Sequence, residues 1–248
     1  MVTLMRRRRI SEQEFFGRFA AEWWEEGSMM APLHSFNPLR FEYFSQFVED
    51  FTGLETLDVG CGGGYTCEYL DDLGAEVTGM DINPDLVEVA RAHAQQVGKV
   101  IRYEQGRAEA LPFPDQSFDV VTCVDVLEHV DDVGGALREI HRVLRPGGVL
   151  LYDTINRTAW ARVTMIVIPE RMLGIVPPGA HSFRKFITPR ELLVGLGAAG
   201  LRPLGNMAGI DIRGQHDDGS LKARLVRSTA GLYLGAAQRD QGTREGAS

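Results

Sequence analysis

A glycine-rich stretch has the residue types that let a protein backbone approach a nucleotide-like ligand. It runs from Gly60 to Gly64 and follows the apolar residues Leu57 and Val59. Because glycine has no Cβ, the chain in such a turn can lie close to a ligand. A helical pattern begins near Tyr65, so the ligand would also face a helix N-terminus. The spacing predicts ligand contacts at Gly60 and Gly62.

Two carboxylates narrow the class of ligand. Asp81 ends the next apolar run, 21 residues after Gly60, where an acid can accept hydrogen bonds from both hydroxyls of an adenosine ribose. Asp58 puts negative charge near the turn, which repels a pyrophosphate and suits a cation. A dinucleotide fingerprint would require glycine where Tyr65 stands. We therefore expect S-adenosylmethionine (SAM), with Asp58 and Asp81 in its site, and keep NAD(P) as the alternative.

The hydrophobic patterns on either side of the turn predict an α/β fold. Expected strands at 76–81, 100–103, 118–124 and 149–153 alternate with expected helices at 84–97 and 131–144. This alternation is typical of a doubly wound, Rossmann-like sheet that is mostly parallel, as in class I SAM methyltransferases, and we expect seven strands. The methyltransferase domain is predicted to cover residues 51–237.

Three further segments are expected outside the regular alternation. Residues 1–50 form an N-terminal helical extension, opened by a capping box at Ser11 and Glu14, whose aromatic stripe either packs on the sheet or forms a lid over the cofactor. An insertion at about 157–187 follows the fifth strand. Residues 238–248 are polar and are predicted to be a disordered tail.

Composition limits the partners and the compartment. The net charge of −8 argues against nucleic-acid binding, which needs a basic surface. The basic cluster Arg6–Arg9 is expected to be a solvated arm. The three cysteines have no metal-ligand or disulfide spacing, and no apolar run is long enough to cross a membrane. The expected location is the cytoplasm.

Nine short motifs carry a resemblance to a known family. They are Trp23-Trp24, Pro32-Leu-His34, Asn37-Pro-Leu-Arg40, Leu57-Asp-Val-Gly-Cys-Gly-Gly-Gly64, Val77-Thr-Gly-Met-Asp81, Asp119-Val-Val-Thr-Cys123, Leu127-Glu-His-Val130, Lys185-Phe-Ile187 and Pro189-Arg-Glu-Leu-Leu193. With these motifs the sequence resembles the ubiquinone-biosynthesis O-methyltransferases. The glycine motif is shared by many SAM enzymes, whereas Asn-Pro-Leu-Arg and Trp-Trp are more specific to this family.

The resemblance implies an activity and a set of cofactor contacts. The activity is SAM-dependent O-methylation of a catechol-type hydroxyl on a polyprenylated ring in ubiquinone biosynthesis. The implied SAM contacts are Arg40, Gly60, Asp81 and Val124, with adenine contacts near Ala108 and Glu109. A guanidinium such as that of Arg40 can hold the SAM carboxylate through two hydrogen bonds. Without the resemblance, the favoured interpretation of Arg40 would be a surface arginine that caps a helix.

The run that follows the expected fourth strand carries the candidates for chemistry. In the eukaryotic branch of the family a similar run holds a divalent metal, which maps here to Asp125, Glu128 and His129 and implies Mg²⁺. Asp125 is one methylene shorter than the glutamate found there, and the alternative is a cleft lining without metal. His129, Glu128 and His181 are the candidate catalytic residues, with either histidine as the base.

The insertion and the acceptor leave alternatives open. Two apolar segments, 160–168 and 172–176, suit either an interfacial element that contacts a prenyl tail and the inner face of the cell membrane, or an ordinary helical cap. The acceptor could instead be a small aromatic natural product. A third hypothesis is a SAM-binding protein without catalysis.

Overall fold

The computed structural model describes residues 16–25, 28, 30–172, 181–216 and 220–241. Within this part, eight strands form one sheet. They are β1 (Glu55–Val59), β2 (Glu76–Asp81), β3 (Arg102–Gln105), β4 (Phe118–Cys123), β5 (Leu144–Ile155), β6 (Leu201–Gln215), β7 (Leu221–Val226) and β8 (Leu232–Arg239).

The sheet has the order β3-β2-β1-β4-β5-β8-β6-β7. Strands β1 to β5 pair in parallel, whereas β8 is antiparallel to both β5 and β6. The prediction of a doubly wound, mostly parallel sheet is thus confirmed. Order reverses between β1 and β4, and ligands of open α/β sheets bind outside the carboxyl ends of the strands at such a point.

The expected number of seven strands was wrong by one. Strand β7 pairs antiparallel with β6 at the sheet edge, and its residues alternate between partly buried and exposed. Lys222 and Arg224 occupy exposed positions of this strand. A short edge strand with charged residues resembles a polar loop in sequence, because only one of its faces packs.

Seven α-helices that lie wholly within the described residues flank the sheet. They are α1 (Ala31–His34), α2 (Asn37–Phe44), α3 (Tyr65–Asp72), α4 (Pro84–Gln96), α5 (Val133–Val143), α6 (Ala159–Arg162) and α7 (Pro189–Ala198), joined by a 3₁₀ turn at Ala20–Glu22 and a π-helical segment at Val163–Met172. Among the residues described, no helix is long and apolar enough to cross a membrane.

Caps fix where two of the helices begin. Asn83 accepts a hydrogen bond from the backbone of Asp85 ahead of α4, and Pro84 occupies the first turn. Thr188 and Glu191 form a reciprocal capping box at the start of α7. Each cap contacts a residue at most three positions away, so local sequence sets both helix starts.

Hydrophobic clusters cover both faces of the sheet. Residues of α2, α3 and α4 pack in one cluster, which includes Phe44 and Leu70. Residues of α5 and α7 pack in the other, which includes Leu137 and Leu196. Both sheet faces are therefore covered, as a parallel sheet requires.

Some predicted boundaries differ from the structure. Strand β3 begins at Arg102 rather than at Val100, which is 94% exposed in the preceding connection. Strand β8 continues through Arg239, whose guanidinium donates to three backbone carbonyls, so the expected tail begins too early. The capping box at residues 11–14, the arginine cluster, insertion residues 173–180 and residues 242–248 lie outside the described residues.

Candidate active site

The turn between β1 and α3 requires glycine at several positions. Gly60, Gly62 and Gly64 have φ angles of +75°, +53° and +101°, a region that other residues rarely adopt. A Cβ at Gly60 would lie 2.3 Å from Cγ2 of Val126, in the loop after β4. Glycine is therefore needed both for the backbone conformation and for close packing.

Aromatic residues of the N-terminal extension lie on this turn. A Cβ at Gly63 would lie 2.3 Å from Cδ1 of Trp23, and Trp24 Nε1 donates to the Gly63 carbonyl at 2.9 Å. The Trp24 ring stacks on His93 of α4 with the ring centroids 3.6 Å apart. The Trp-Trp pair thus bridges the glycine turn and the neighbouring helix, an arrangement suited to a lid.

Asp81 lies at the end of β2, beside the glycine turn. Its Oδ2 accepts from the backbone amide of Gly62 at 2.9 Å, and its Oδ1 accepts from the amide of Asn83 at 2.8 Å. Burial raises the pKa of Asp81, while these hydrogen bonds oppose the rise. The carboxylate is held rigidly and keeps lone pairs for further donors, as a ribose contact requires.

Asp58 is oriented toward the protein interior. It is 1% exposed; its Oδ1 accepts from Thr122 Oγ1 at 2.6 Å, and Cys67 Sγ lies 3.4 Å from its Oδ2. Burial raises the pKa of Asp58 to about 7. Because Asp58 is almost completely buried and its carboxylate faces Thr122 and Cys67, we expect it to influence a cationic ligand through its charge rather than by contact.

Arg40 is buried rather than on the surface. Its side chain is 2% exposed, its Nε donates to Asp153 Oδ2 at 2.6 Å, and it forms a second ion pair with Asp125. The two carboxylates raise the pKa of Arg40 against the opposing effect of burial. The alternative of a surface arginine was therefore wrong.

Asp153 contacts two residues of the candidate site and was not predicted from the sequence. It is fully buried near the end of β5 and links Arg40 to the loop after β4, because its Oδ1 accepts from the backbone amide of Asp125 at 2.6 Å. The available signal was a carboxylate near the carboxyl end of an expected parallel strand, the edge where Asp81 was already placed.

The expected metal ligands do not converge. Asp125 has a left-handed φ of +55° and its carboxylate pairs with Arg40, whereas Glu128 is buried and accepts from Thr154 Oγ1 at 2.8 Å. In the part of the chain that the structure describes, no group of three or more His, Cys, Asp or Glu residues could hold a metal ion. The residues present therefore do not fit the tentative site formed with His129.

The two candidate bases lie next to each other although 52 residues separate them. The ring centroids of His129 and His181 are 5.7 Å apart, and Phe16 packs edge-on against His129 at 5.8 Å. Lys185 Nζ donates to the backbone carbonyl of His129 at 3.0 Å. Burial raises the pKa of the preceding Glu128, and His129 opposes this rise.

The remaining predicted cofactor residues lie at the ends of neighbouring strands. Val124 is buried directly after β4, and Ala108 is buried in the loop after β3. Glu109 is partly buried, with a carboxylate oxygen 3.6 Å from a guanidinium nitrogen of Arg107. All three follow parallel strands at the carboxyl edge of the sheet, where open α/β sheets bind their ligands.

Comparison with known proteins agrees with this geometry. A family model described as a methyltransferase domain matches residues 57–152. A solved SAM-dependent methyltransferase from Aquifex aeolicus shares the fold, with a TM-score of 0.59 and 18% identity over 83% of this chain and 93% of that one. The chain therefore has the fold of this methyltransferase.

Two relatives show the family. A ubiquinone biosynthesis O-methyltransferase from Actinobacillus pleuropneumoniae is 40% identical over 77% of this chain and 84% of its own length. One from Xanthomonas euvesicatoria is 39% identical over 92% of this chain and 93% of its own. The chain therefore belongs to the family of ubiquinone biosynthesis O-methyltransferases, SAM-dependent enzymes with a Rossmann-like fold.

Proposed function

We propose that this protein transfers the methyl group of SAM to a catechol-type hydroxyl of a polyprenylated ring in ubiquinone biosynthesis. The observation that carries this proposal is the 39% identity over 92% of the chain with a relative named for that pathway. The adjacent histidines at the carboxyl end of β4 support it, because a hydroxyl acceptor must lose its proton.

The proposed cofactor site has four parts. The backbone of Gly60 and Gly62 faces the methionine part of SAM, Asp81 accepts from the ribose hydroxyls, and Arg40 holds the carboxylate. Adenine lies between the loops that contain Ala108, Glu109 and Val124. The buried, fixed positions of Asp81 and Arg40 support these roles, because preorganised partners bind a ligand at a lower entropic cost.

Methyl transfer is an in-line displacement in which the acceptor oxygen attacks the methyl carbon and the sulfonium sulfur leaves as a thioether. The protein therefore has to align the oxygen and remove its proton. We assign proton removal to an imidazole nitrogen of His129, with His181 beside it. The buried carboxyl of Glu128, held by Thr154, stabilises the resulting imidazolium through its charge.

Mg²⁺ is the alternative means of activating the hydroxyl. Arg40 and Thr154 already hold the carboxylates of Asp125 and Glu128. Among the described residues, no group of three or more His, Cys, Asp or Glu side chains could hold a metal ion. We therefore derive no step through a metal and expect full activity in EDTA.

The insertion supports an apolar acceptor and peripheral contact with the inner face of the membrane. Trp160 is 62% exposed and Val163 is 44% exposed, on successive helical segments after β5. Exposed aromatic and aliphatic side chains of this kind suit a lipid interface or a prenyl chain. A soluble aromatic acceptor is the second candidate, but it would not account for the exposed apolar side chains.

The test measures methyl transfer from labelled SAM to a short-chain prenylated catechol and to a simple soluble catechol, each with Mg²⁺ and with EDTA. Transfer to the prenylated catechol in both conditions is expected. Activity on the soluble catechol alone would favour the natural-product alternative, and activity only with Mg²⁺ would contradict the metal-free mechanism. No transfer to either, with SAM bound, would favour the non-catalytic hypothesis.

Variants test the assignment of the base. His129→Gln should lower kcat by about 10²–10⁴, the range for loss of a general base, with unchanged SAM affinity. His141→Gln is the matched control, because His141 lies at the end of α5 against Gly200. Equal kcat values for wild type and His129→Gln would show that His129 is not the general base. Either His181 would then have this role or neither histidine would.

A further inference from the structure

The side chain of Asn37 has a donor that the rest of the protein does not use. Asn37 is fully buried, and its Oδ1 accepts from Arg40 and from Thr66 Oγ1, each at 3.4 Å. Its Nδ2 has no hydrogen-bond acceptor in the described part of the chain. The opposite amide orientation would turn the NH₂ group toward a guanidinium, which can only donate. The NH₂ group of Asn37 is therefore the part of the amide that has no hydrogen-bond partner among the described residues.

A buried donor of this kind is unusual, because nearly all buried polar groups in folded proteins have partners. Asn37 is the first residue of α2, three positions before Arg40 and so on the same face of the helix. Thr66 is the second residue of α3. The amide is thus placed between the arginine of one helix and the first turn of the other.

The first turn of α3 is itself suited to an anion. The helix follows Gly64, which has no side chain, so no N-cap side chain accepts from its first backbone amides. A second buried donor lies beside the same turn, because Trp23 Nε1 has no acceptor among the described residues and its ring packs on Gly62 and Gly63. Asn37 Nδ2 therefore lies beside the first turn of α3, and Trp23 Nε1 lies beside the glycine turn that precedes it.

We propose that the Asn37 side-chain NH₂ donates to the α-carboxylate of SAM, beside Arg40. This inference rests on the proposed function, in which Arg40 holds that carboxylate. Asn37 would be a neutral hydrogen-bond donor in the site, and the charge balance around Arg40 explains why such a donor is needed. The charge of Arg40 is already offset by Asp125 and Asp153, so a third carboxylate must be bound by directed hydrogen bonds rather than by net charge.

The test compares two ligands, of which only one has a carboxylate. S-adenosylhomocysteine carries the amino-acid group, and 5′-methylthioadenosine has the same adenosine part without it. Calorimetry with Asn37→Asp, which keeps the acceptor oxygen but replaces the donor, should show affinity for S-adenosylhomocysteine lowered about 10- to 100-fold, as for loss of a hydrogen bond to a charged group. Affinity for 5′-methylthioadenosine should stay within about twofold, because no contact with it is lost.

Asn37→Ala removes the donor without adding charge and should show the same ligand-selective loss, so the test does not depend on one variant folding. Asn156→Asp is the matched control, since Asn156 is also buried but its amide is satisfied by the Thr229 carbonyl. Thermal melting identifies variants that are unfolded.

The outcomes separate this inference from the proposed function. Equal losses for both ligands, or unchanged affinity for S-adenosylhomocysteine in either folded variant, would overturn the role of Asn37 and leave the proposed function intact. Wild-type protein that binds neither ligand would overturn both.

Discussion

Arg40 Nε donates to Asp153 Oδ2 at 2.6 Å, across 113 residues of sequence. The other oxygen of Asp153 accepts from the backbone of Asp125, so one buried carboxylate joins α2 of the N-terminal extension to the ends of β4 and β5. The extension is therefore anchored inside the methyltransferase domain, at the edge where the cofactor is expected.

Asp153→Asn should destabilise the fold and weaken SAM binding. The amide can accept from Arg40 or from the Asp125 amide, but it cannot do both or balance the guanidinium charge. Removing one partner of a buried ion pair costs about 3 kcal/mol in the free energy of unfolding. Urea denaturation measures the stability and calorimetry measures the affinity.

Asp119→Asn is the control for Asp153→Asn. Asp119 forms an ion pair with Arg145 near the opposite end of the sheet, and both side chains are partly exposed. Partly exposed pairs contribute about 1 kcal/mol or less. Equal destabilisation by the two variants would contradict a special role for the buried pair.

Gly60→Ala should cost more stability than Gly53→Ala. Both positions have similar φ angles, +75° and +70°, so both variants carry a left-handed strain of about 1–2 kcal/mol. Only at Gly60 does the added Cβ overlap another side chain, that of Val126. Overpacking adds about 1–3 kcal/mol, which urea denaturation would detect.

The double variant Gly60→Ala/Val126→Ala identifies the source of the difference. The double variant should regain the unfolding free energy that Gly60→Ala loses through overlap with Val126, reduced by the cost of truncating Val126. The cost of the strained backbone should remain. No difference between the unfolding free energies of Gly60→Ala and Gly53→Ala would show that the turn relaxes without cost.

Asp58→Asn should change the pH dependence of stability. The pKa of Asp58 is raised by burial from 3.8 to about 7 in the folded protein. Its contribution to stability is therefore fully present below about pH 4 and is lost as pH rises to about 7, at about 1.4 kcal/mol per pH unit. Asparagine does not titrate, so the variant lacks this loss.

Denaturation of both proteins at several pH values between 4.5 and 7.5 isolates the Asp58 contribution, because all other groups are shared. The free energy of the variant relative to wild type should rise with pH across this window. A difference that is constant with pH would mean that Asp58 ionises at its ordinary pKa.

Trp24→Phe tests the contact between the extension and the glycine turn. Phenylalanine can keep the stack on His93 but loses the hydrogen bond to the Gly63 carbonyl. We expect a loss of about 1 kcal/mol in unfolding free energy, the net value of one hydrogen bond, and weaker binding of S-adenosylhomocysteine. Trp160→Phe, at an exposed position, should leave both unchanged.

Local signals in the sequence were enough for the parallel part of the fold and for one side of the cofactor site. Gly60 and Asp81 could be assigned because a strand, a glycine turn and an acid at the next strand end follow one another within a single βαβ unit. The helix starts at Asn83 and Thr188 were equally local, since each cap lies within a few residues of the groups it satisfies.

The family resemblance supplied residues that spacing could not supply, such as Arg40. The contacts that these residues make could not be predicted, as the expected metal site shows. Asp125 and Glu128 are close in sequence, yet the backbone after β4 turns one carboxylate to Arg40 and the other to Thr154. Strand β7 was missed because its pattern depends on a partner strand that the sequence does not specify.

The fold class, SAM as the expected cofactor and the glycine turn could be predicted because each depends on residues close together in the chain. Contacts between distant groups could not be predicted: Asp153 with Arg40, His181 with His129, and Trp23 with Gly63. These contacts depend on the order of the strands and the path of the extension across the sheet. The free energy that selects that arrangement comes from packing over the whole domain.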